Sequence, residues 1–486
     1  LLPGRTVRVP HGPVANLSFV RQTTERATFL DDFELVGQWI DAYFAQPQAH
    51  RVLPAVRPGD VAAELPEQAP ERPEPFEQIM ADFERIVVPG TTHWNHPRFF
   101  AYFATSAAPA AIAAEALAAT LDVKAMLWRT SPAATELEEV TMRWLGKLLG
   151  LPAAWTGIIY DTASVAGFTA MAAARESLDL DIRERGMSGR GLPTLRVYIT
   201  EHTHSHIEKA AIALGIGQKN VVRVACDAEF RMRPDALETC LRDDAAAGMR
   251  PVAIVATVGT TSTTSSDPVP EIAEIARKHR VWLHVDAAYA GMAAMIPEFR
   301  GLLAGVDRAD SLVVNPHKWM FVPMDLSVLF LKDESTVRRA FSLVPEYLTT
   351  PETHAVNYMD YGLQLGRRFR ALKLWFVLKH MGAEGIRAKL RGHIELAQKF
   401  ASWVKADPDW EVLAPHPLSV VCFRNKRVDN ERLMNAVNET GEIFISHTKI
   451  GDTYALRLAI GNLRTELDDV QFAWDVLRRE AGKLAA

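Results

Sequence analysis

A lysine follows a run of strand-forming residues: Ser311-Leu312-Val313-Val314 leads into Asn315-Pro316-His317-Lys318-Trp319. An ammonium at the end of a buried strand is costly to desolvate, and the cost falls if the group is neutralised or used in a covalent imine. About thirty residues earlier, Asp286 ends a second such run, Val281-Trp282-Leu283-His284-Val285. In an open α/β sheet the carboxyl ends of the strands line the ligand crevice, so Asp286 and Lys318 are expected to face one cleft. The pair could be a structural salt bridge. Its simplest shared ligand is pyridoxal 5'-phosphate, the aldehyde held by Lys318 as a Schiff base and the pyridine nitrogen kept protonated by Asp286, which lets the ring accept electrons from a substrate's Cα.

Such a ligand needs a phosphate cradle. Gly157-Ile158-Ile159-Tyr160 reads as a strand running into Asp161-Thr162-Ala163-Ser164 and then a helix from Val165 to about Glu176. A turn of small residues at that junction offers backbone N–H groups and the positive end of the helix dipole to an anion, which nominates Ala163 and Ser164 as phosphate contacts. Ser164 fits a helix N-cap equally well. Further on, Glu201-His202-Thr203-His204-Ser205-His206 follows the strand-like Arg196-Val197-Tyr198-Ile199-Thr200. Alternate histidines on an extended face could bind zinc, although no cysteine or further ligand pattern completes a motif. In a pyridoxal phosphate site an aromatic ring covers the exposed face of the cofactor, and a histidine there can also bind a substrate carboxylate or exchange protons near neutral pH; His204 is the residue nominated.

Three regions must position these groups. Residues 1–95 are rich in proline and charge, with Phe33, Val36, Trp39, Ile40 and Phe44 at helical spacing and a second helical stretch from Phe76 to Ile86. Between them Pro54, Pro58, Pro66, Pro70, Pro73 and Pro75 keep the backbone out of long regular structure, so this segment is expected to wrap onto another body rather than fold alone. Residues 96–381 alternate short β-branched runs (RVYIT, VAIVATV, VWLHVDA, SLVVN, VLFLK) with helical patterns such as Ile272 to Lys278. That order implies βαβ crossovers and a large, mainly parallel sheet covered on both faces. Residues 382–486 mix helices (Ile386 to Ala406, Glu466 to Lys483) with strand candidates (Ser419 to Phe423, Tyr454 to Ile460), as in a small α+β domain.

Composition narrows the partners. The chain has 486 residues, a formal charge of −5, and 48% apolar against 23% charged residues. At roughly 150 residues per domain this is length for two or three globular domains. No basic stripe suggests nucleic acid, and no apolar run approaches the roughly 18 residues of a membrane span. Cys226, Cys240 and Cys422 are odd in number and far apart, which argues against a disulfide framework. A cytoplasmic location is expected, and the N-terminal LLPGRTVRVPHGPV lacks the charged-then-apolar order of a signal peptide.

Five separated segments carry a more specific signal: THWNHPRFFAYF (Thr92 to Phe103), SPAATELE (Ser131 to Glu138), HVDAAYAG (His284 to Gly291), NPHKW (Asn315 to Trp319) and LGRRFRALKLW (Leu365 to Trp375). Together, and in that order, they make the chain resemble the group II pyridoxal-phosphate decarboxylases, most closely the aromatic-L-amino-acid decarboxylases, over nearly its whole length from about Asp31. The resemblance implies an α/β fold of type I, with a seven-stranded central sheet, an N-terminal helical wrap and a small C-terminal α+β domain, in a homodimer whose active sites lie at the subunit interface. It implies that Lys318 binds the aldehyde, Asp286 the pyridine nitrogen, and that His204 stacks on the ring. Ala163, Ser164, Asn315 and His317 match phosphate-holding positions, and Thr261 and Ala288 others that line the cofactor.

Tyr347, in PEYLTT, matches a mobile-loop tyrosine that helps protonate Cα after carbon dioxide leaves. Relatives that make aldehydes oxidatively typically replace this tyrosine or the stacking histidine, and both are present here. Trp94, Tyr102 and Phe103 match aromatic substrate-pocket positions, which core packing would explain as well. Ala104 stands where the animal enzymes carry a proline. Lys124 and Met126 stand where an aliphatic residue and a phenylalanine are usual, in a segment contributed by the partner subunit; Lys124 either faces solvent or suits a polar or acidic side chain. The expected reaction is decarboxylation of an L-amino acid, namely tryptophan, tyrosine, phenylalanine or dihydroxyphenylalanine, to its amine, with no metal. The alternatives are an acidic or histidine substrate, an aldehyde product from the same cofactor, or an interaction protein that has kept the fold without turnover.

Overall fold

The structure, a computed structural model, describes residues 29–343, 352 and 354–486. It falls into two compact units. The smaller comprises the described part of Leu1–Pro47 together with Pro58–Pro89. Its long helix, Phe29–Ala45, carries aromatic residues at the spacing seen in the sequence, and Trp39 meets Phe83 edge-on with ring centres 4.9 Å apart. No residue of that helix is buried within the single chain, and Phe29 is 75% exposed. A second helix, Phe76–Asp82, continues as one wider turn through Phe83–Val87.

The larger unit, Gln48–Arg57 with Gly90–Ala486, is built on two sheets. Its strands begin with β1 (Phe99–Phe100), β2 (Thr156–Tyr160), β3 (Leu195–Ile199), β4 (Val221–Arg223), β5 (Arg250–Thr257), β6 (Trp282–Asp286), β7 (Ser311–Val314) and β8 (Ser327–Leu331). Seven of them form the central sheet in the order β2-β8-β7-β6-β5-β3-β4. Every pairing is parallel except those of β8, which runs antiparallel to both β2 and β7. The expected α/β architecture with a largely parallel central sheet is therefore the observed one.

Both faces of this sheet are apolar, which is why its strands read as continuous hydrophobic runs. Along β5, Ile254 and Ala256 join the core on one face, and Ala253 and Val255 join the core on the other. Parallel pairing of β5, β6 and β7 puts Thr257, Asp286 and Val313 in register at one edge, so the segments that follow these strands emerge together.

The remaining strands are β9 (Trp410–Val412), β10 (Val420–Asn425), β11 (Phe444–Ile450) and β12 (Thr453–Ala459). With β1 they make a five-stranded sheet in the order β1-β11-β12-β10-β9. The helices Asn430–Thr440 and Leu467–Ala485, and the end of the long helix Ala371–Ala406, pack on it through Phe400, Val437, Trp474 and Leu477. Gly382 interrupts the long helix with φ 66° and ψ 165°, a left-handed φ that glycine adopts without penalty. Strands β1, β4, β9 and β11 had no sequence reading. β1 has two residues, and the exposed or half-buried residues that close β11 give it no clean apolar alternation. Among the described residues no helix is long and apolar enough to cross a membrane.

Candidate active site

Asp286 is the last residue of β6, and Lys318 lies in the short helical turn Pro316–Trp319 that follows β7. Parallel pairing of β6 with β7 sets the two side by side, and both line one cavity of 210 Å³. Among the described residues Lys318 Nζ has no ion-pair partner; it stands 5.0 Å from the centre of the Phe103 ring. A structural salt bridge between Lys318 and Asp286 is thus not what the two groups form. Burial pushes the lysine pKa below its usual value, with Asp286 pulling the other way. Burial also works against ionisation of Asp286, yet His206, Lys318 and the Ala288 N–H, which donates to its Oδ1 at 3.0 Å, hold this carboxyl below the ordinary range.

The opposite wall is the start of the helix Ala163–Glu176, which β2 delivers to the cavity. Thr162 is its N-cap and makes no side-chain capping bond, so the first N–H groups, at Ala163 and Ser164, are left without an intrahelical acceptor. The turn is fixed from behind, because Arg370 pairs with Asp161 at 2.6 Å and with Asp325 at 2.8 Å. Asn315 and His317 lie on the same cavity. The Leu326 N–H donates to His317 Nδ1 at 3.0 Å, which places the imidazole proton on Nε2. Burial lowers the pKa of this histidine to about 4, so it is a neutral donor.

His204 lines both this cavity and a larger one. Two groups converge on its Nδ1, the His206 backbone N–H at 3.3 Å and the His206 ring Nδ1 at 3.0 Å, so the His204 proton sits on Nε2. Burial lowers the pKa of His204, and that of His206 to about 4. His206 is seated against Gly167 so closely that a Cβ there would lie 2.5 Å from its Nε2. The larger cavity, 510 Å³, is walled by Trp94, Tyr102, Phe103 and Phe444 and shares Phe103, His204, Thr261, His317 and Lys318 with the smaller one. Trp94 stacks between Phe99 and Tyr102, with ring centres 4.3 and 5.7 Å away.

The residues named from sequence are thus largely together: Ala163, Ser164, His204, Thr261, Asp286, Ala288, Asn315, His317 and Lys318 line the smaller cavity, and Trp94, Tyr102 and Phe103 the larger. Lys124 and Met126 line neither cavity of this chain; Lys124 is exposed, and the Met126 carbonyl accepts from the Met359 N–H. Tyr347 lies outside the described residues.

A family model described as the pyridoxal-dependent decarboxylase conserved domain matches residues 58–426. The chain belongs to the pyridoxal-dependent decarboxylases. This decarboxylase is 39% identical to the aromatic-L-amino-acid decarboxylase of Sus scrofa over 93% of its length and 96% of the relative's. It is 37% identical to phenylacetaldehyde synthase of Arabidopsis thaliana, covering 93% of this chain and 95% of that one. Its fold matches the crystal structure of Catharanthus roseus tryptophan decarboxylase in complex with L-tryptophan with a TM-score of 0.89, at 34% identity, over 95% of this chain and all of the other.

The cofactor of this decarboxylase is pyridoxal phosphate, and the walls of the smaller cavity fit it. Buried polar atoms there have no hydrogen-bond partner among the described residues, notably Asn315 Oδ1, Thr257 Oγ1 and His206 Nε2. The open helix N-terminus and the neutral His317 donor suit a phosphate, and the buried, unpaired amine of Lys318 suits an aldehyde. Thr162, His206, Thr257 and Arg457 were not singled out from sequence. Thr162 and His206 lie within segments that were read, one and two residues from a nominated group. Arg457 sits on β12 of the small sheet, far along the chain, with no local pattern to mark it.

Proposed function

We propose that this decarboxylase converts an aromatic L-amino acid to its amine and carbon dioxide, with Lys318, Asp286, His204 and Tyr347 as catalytic residues. The observation that carries the substrate class is the aromatic wall of Trp94, Tyr102 and Phe103 beside Lys318 and His204 in one 510 Å³ cavity, whose size and lining suit a flat side chain. Two relatives of known name point the same way, an aromatic-L-amino-acid decarboxylase and a tryptophan decarboxylase with L-tryptophan bound.

Pyridoxal phosphate would supply an electron sink for the substrate's Cα, the chemistry that loss of the carboxylate requires. Lys318 would hold the cofactor's aldehyde, and burial, which lowers the pKa of its amine, favours the neutral form that such a bond needs. Asp286, held as a carboxylate, keeps a proton on the pyridine nitrogen. The N–H groups of Ala163 and Ser164, with Asn315 and His317, would hold the phosphate, and Thr261 and Ala288 would line the cofactor. His204 would stack on the cofactor ring and, with its proton on Nε2, has a donor to offer the substrate carboxylate. After carbon dioxide leaves, Tyr347 delivers the proton that Cα needs to become an amine carbon.

We place the active enzyme in the cytoplasm as a homodimer, with Lys124 and Met126 reaching the partner subunit's substrate. Support comes from their position off both cavities of their own chain and from Leu117 and Leu121, 48% and 60% exposed on one face of the helix Pro109–Leu121. The similarity to phenylacetaldehyde synthase favours a second reading, oxidative release of aldehyde. Incubation of the holoenzyme with tyrosine, tryptophan, phenylalanine, dihydroxyphenylalanine, glutamate and histidine, with amine, aldehyde, ammonia and peroxide measured in each case, separates them. Amine from the aromatic acids is expected; a preference for glutamate or histidine would overturn the substrate class, and dominant aldehyde the reaction.

A further inference from the structure

The alternating histidines after β3 include one that the catalytic site leaves unused. His202 and Glu201 occupy the turn that follows β3, and Cys226 follows β4. Because β3 and β4 are adjacent and parallel, both segments leave the sheet at the same edge, and the cysteine missing from the histidine run is supplied by the neighbouring strand. Among the described residues, these three form the one group of histidine, cysteine and carboxylate side chains close enough to hold a metal ion, their ligand atoms all lying within 4.8 Å of one another.

We propose that Glu201, His202 and Cys226 form a binding site for a thiophilic divalent cation of the zinc type, separate from the pyridoxal phosphate site. Zinc takes sulfur, imidazole nitrogen and carboxylate oxygen at roughly 2.0–2.3 Å in a tetrahedron, which leaves the fourth position here to water. The ligand atoms draw closer together on binding to meet those bond lengths. Glu201, 70% exposed, has the freedom to make that movement, while His202 is held at 17% exposure with Phe230 edge-on against its ring. The backbone is already braced. His202 N–H donates to Thr200 Oγ1 at 3.2 Å, Thr200 N–H to Thr203 Oγ1 at 3.1 Å, and Cys226 bridges to Met232.

Charge around the site is of the right sign. Three carboxylates, Asp267, Glu201 and Asp227, lie close enough to the Cys226 thiol to act on it electrostatically. A cation placed among these carboxylates relieves their repulsion. The bond to sulfur forms as the thiol proton passes to solvent, with no change of oxidation state.

The test uses reduced holoenzyme stripped with a chelator, desalted, and titrated with Zn²⁺ or, in parallel, Co²⁺. One Zn²⁺ retained per chain is expected, and Co²⁺ should give the red ligand-field bands of tetrahedral thiolate coordination, clear of the cofactor's absorbance. Cys226→Ser and His202→Ala should each weaken binding at least about tenfold. Cys240→Ser should not change it. In the unmutated protein, Zn²⁺ should slow alkylation of Cys226 and leave Cys240 unaffected, a reading that needs no variant to fold. No retained Zn²⁺, binding unaltered by Cys226→Ser and His202→Ala, or equal alkylation of Cys226 with and without Zn²⁺ would each overturn the proposal.

Discussion

At Lys318 the cost of burying an ammonium and the lack, among the described residues, of a carboxylate within ion-pairing distance act in the same direction, toward an amine that gains by forming an imine. Lys318→Ala is therefore expected to lose the visible absorbance of the bound cofactor and all measurable turnover; retention of that band after cofactor is added would place the attachment elsewhere. Tyr347→Phe is expected to keep the band and shift product from amine toward aldehyde, measured by chromatography of both. Unchanged amine output would remove Tyr347 from the proton transfer. At this scale the sequence was most legible where chemistry coincides with a strand end, as at Asp286 and Lys318, since an ionisable residue there is costly unless used. His206 was passed over because its task, donating to His204 Nδ1, is a relation between two side chains in the folded turn. Arg457 illustrates the harder case, reaching Tyr102, Thr261 and Ser262 carbonyls from a different sheet.

The elements are tied to one another by buried polar contacts that account for two of the segments carrying the family resemblance. Glu138, from SPAATELE, accepts the Ile159 N–H at 2.9 Å and pairs with Arg367, from LGRRFRALKLW, at 2.7 Å. Arg367 also donates to the Ile159 carbonyl at 2.8 Å and the Ala125 carbonyl at 3.1 Å. One pair thereby anchors β2, the strand that leads into the helix Ala163–Glu176, and the Lys124–Met126 segment. The two motifs were recognisable in sequence as family marks, but their purpose was not, because nothing local says that residues so far apart will meet under a strand. Removing one partner of a buried pair strands the other, at a cost of about 3–5 kcal/mol. Arg367→Ala should therefore lower stability by about that amount in urea unfolding of the holoenzyme. A loss below about 1 kcal/mol, the range of exposed pairs, would contradict the anchoring role.

For the whole molecule, a mainly parallel sheet covered on both faces was legible in the alternation of β-branched runs and helices, whereas the strand order and the pairing of β1 with β11 were not. Phe99 and Phe100 are joined to Phe444 and Ile445 by a contact between distant parts of the chain that no periodicity announces. Buried neutral histidines are a further global property. Burial lowers the pKa of His96 to about 4, His284 to about 4 and His393 to about 3, against 6.5 when unfolded. His393 accepts from Trp319, the neighbour of Lys318, at 3.0 Å and donates to the Asn462 carbonyl at 3.0 Å, so a second proton has no place in that chain. Below about pH 6.5 the unfolded state binds protons that the native state refuses. Their contribution to stability is complete above that pH and declines as pH falls toward 4. Thermal midpoints measured from pH 7.5 to 4.5 should fall with a slope equivalent to at least three protons taken up on unfolding, His206 and His317, also near 4, adding to these; a flat profile would contradict the assignment of these histidines as neutral.

The proposed chemistry reduces to one bond broken and one made at Cα, and mass spectrometry of the product formed in D₂O reads both. With tyrosine or tryptophan as substrate, the amine should carry a single non-exchangeable deuterium at Cα and appear in equal amount with carbon dioxide. An aldehyde accompanied by ammonia and peroxide, or an amine without that deuterium, would contradict decarboxylation followed by protonation at Cα.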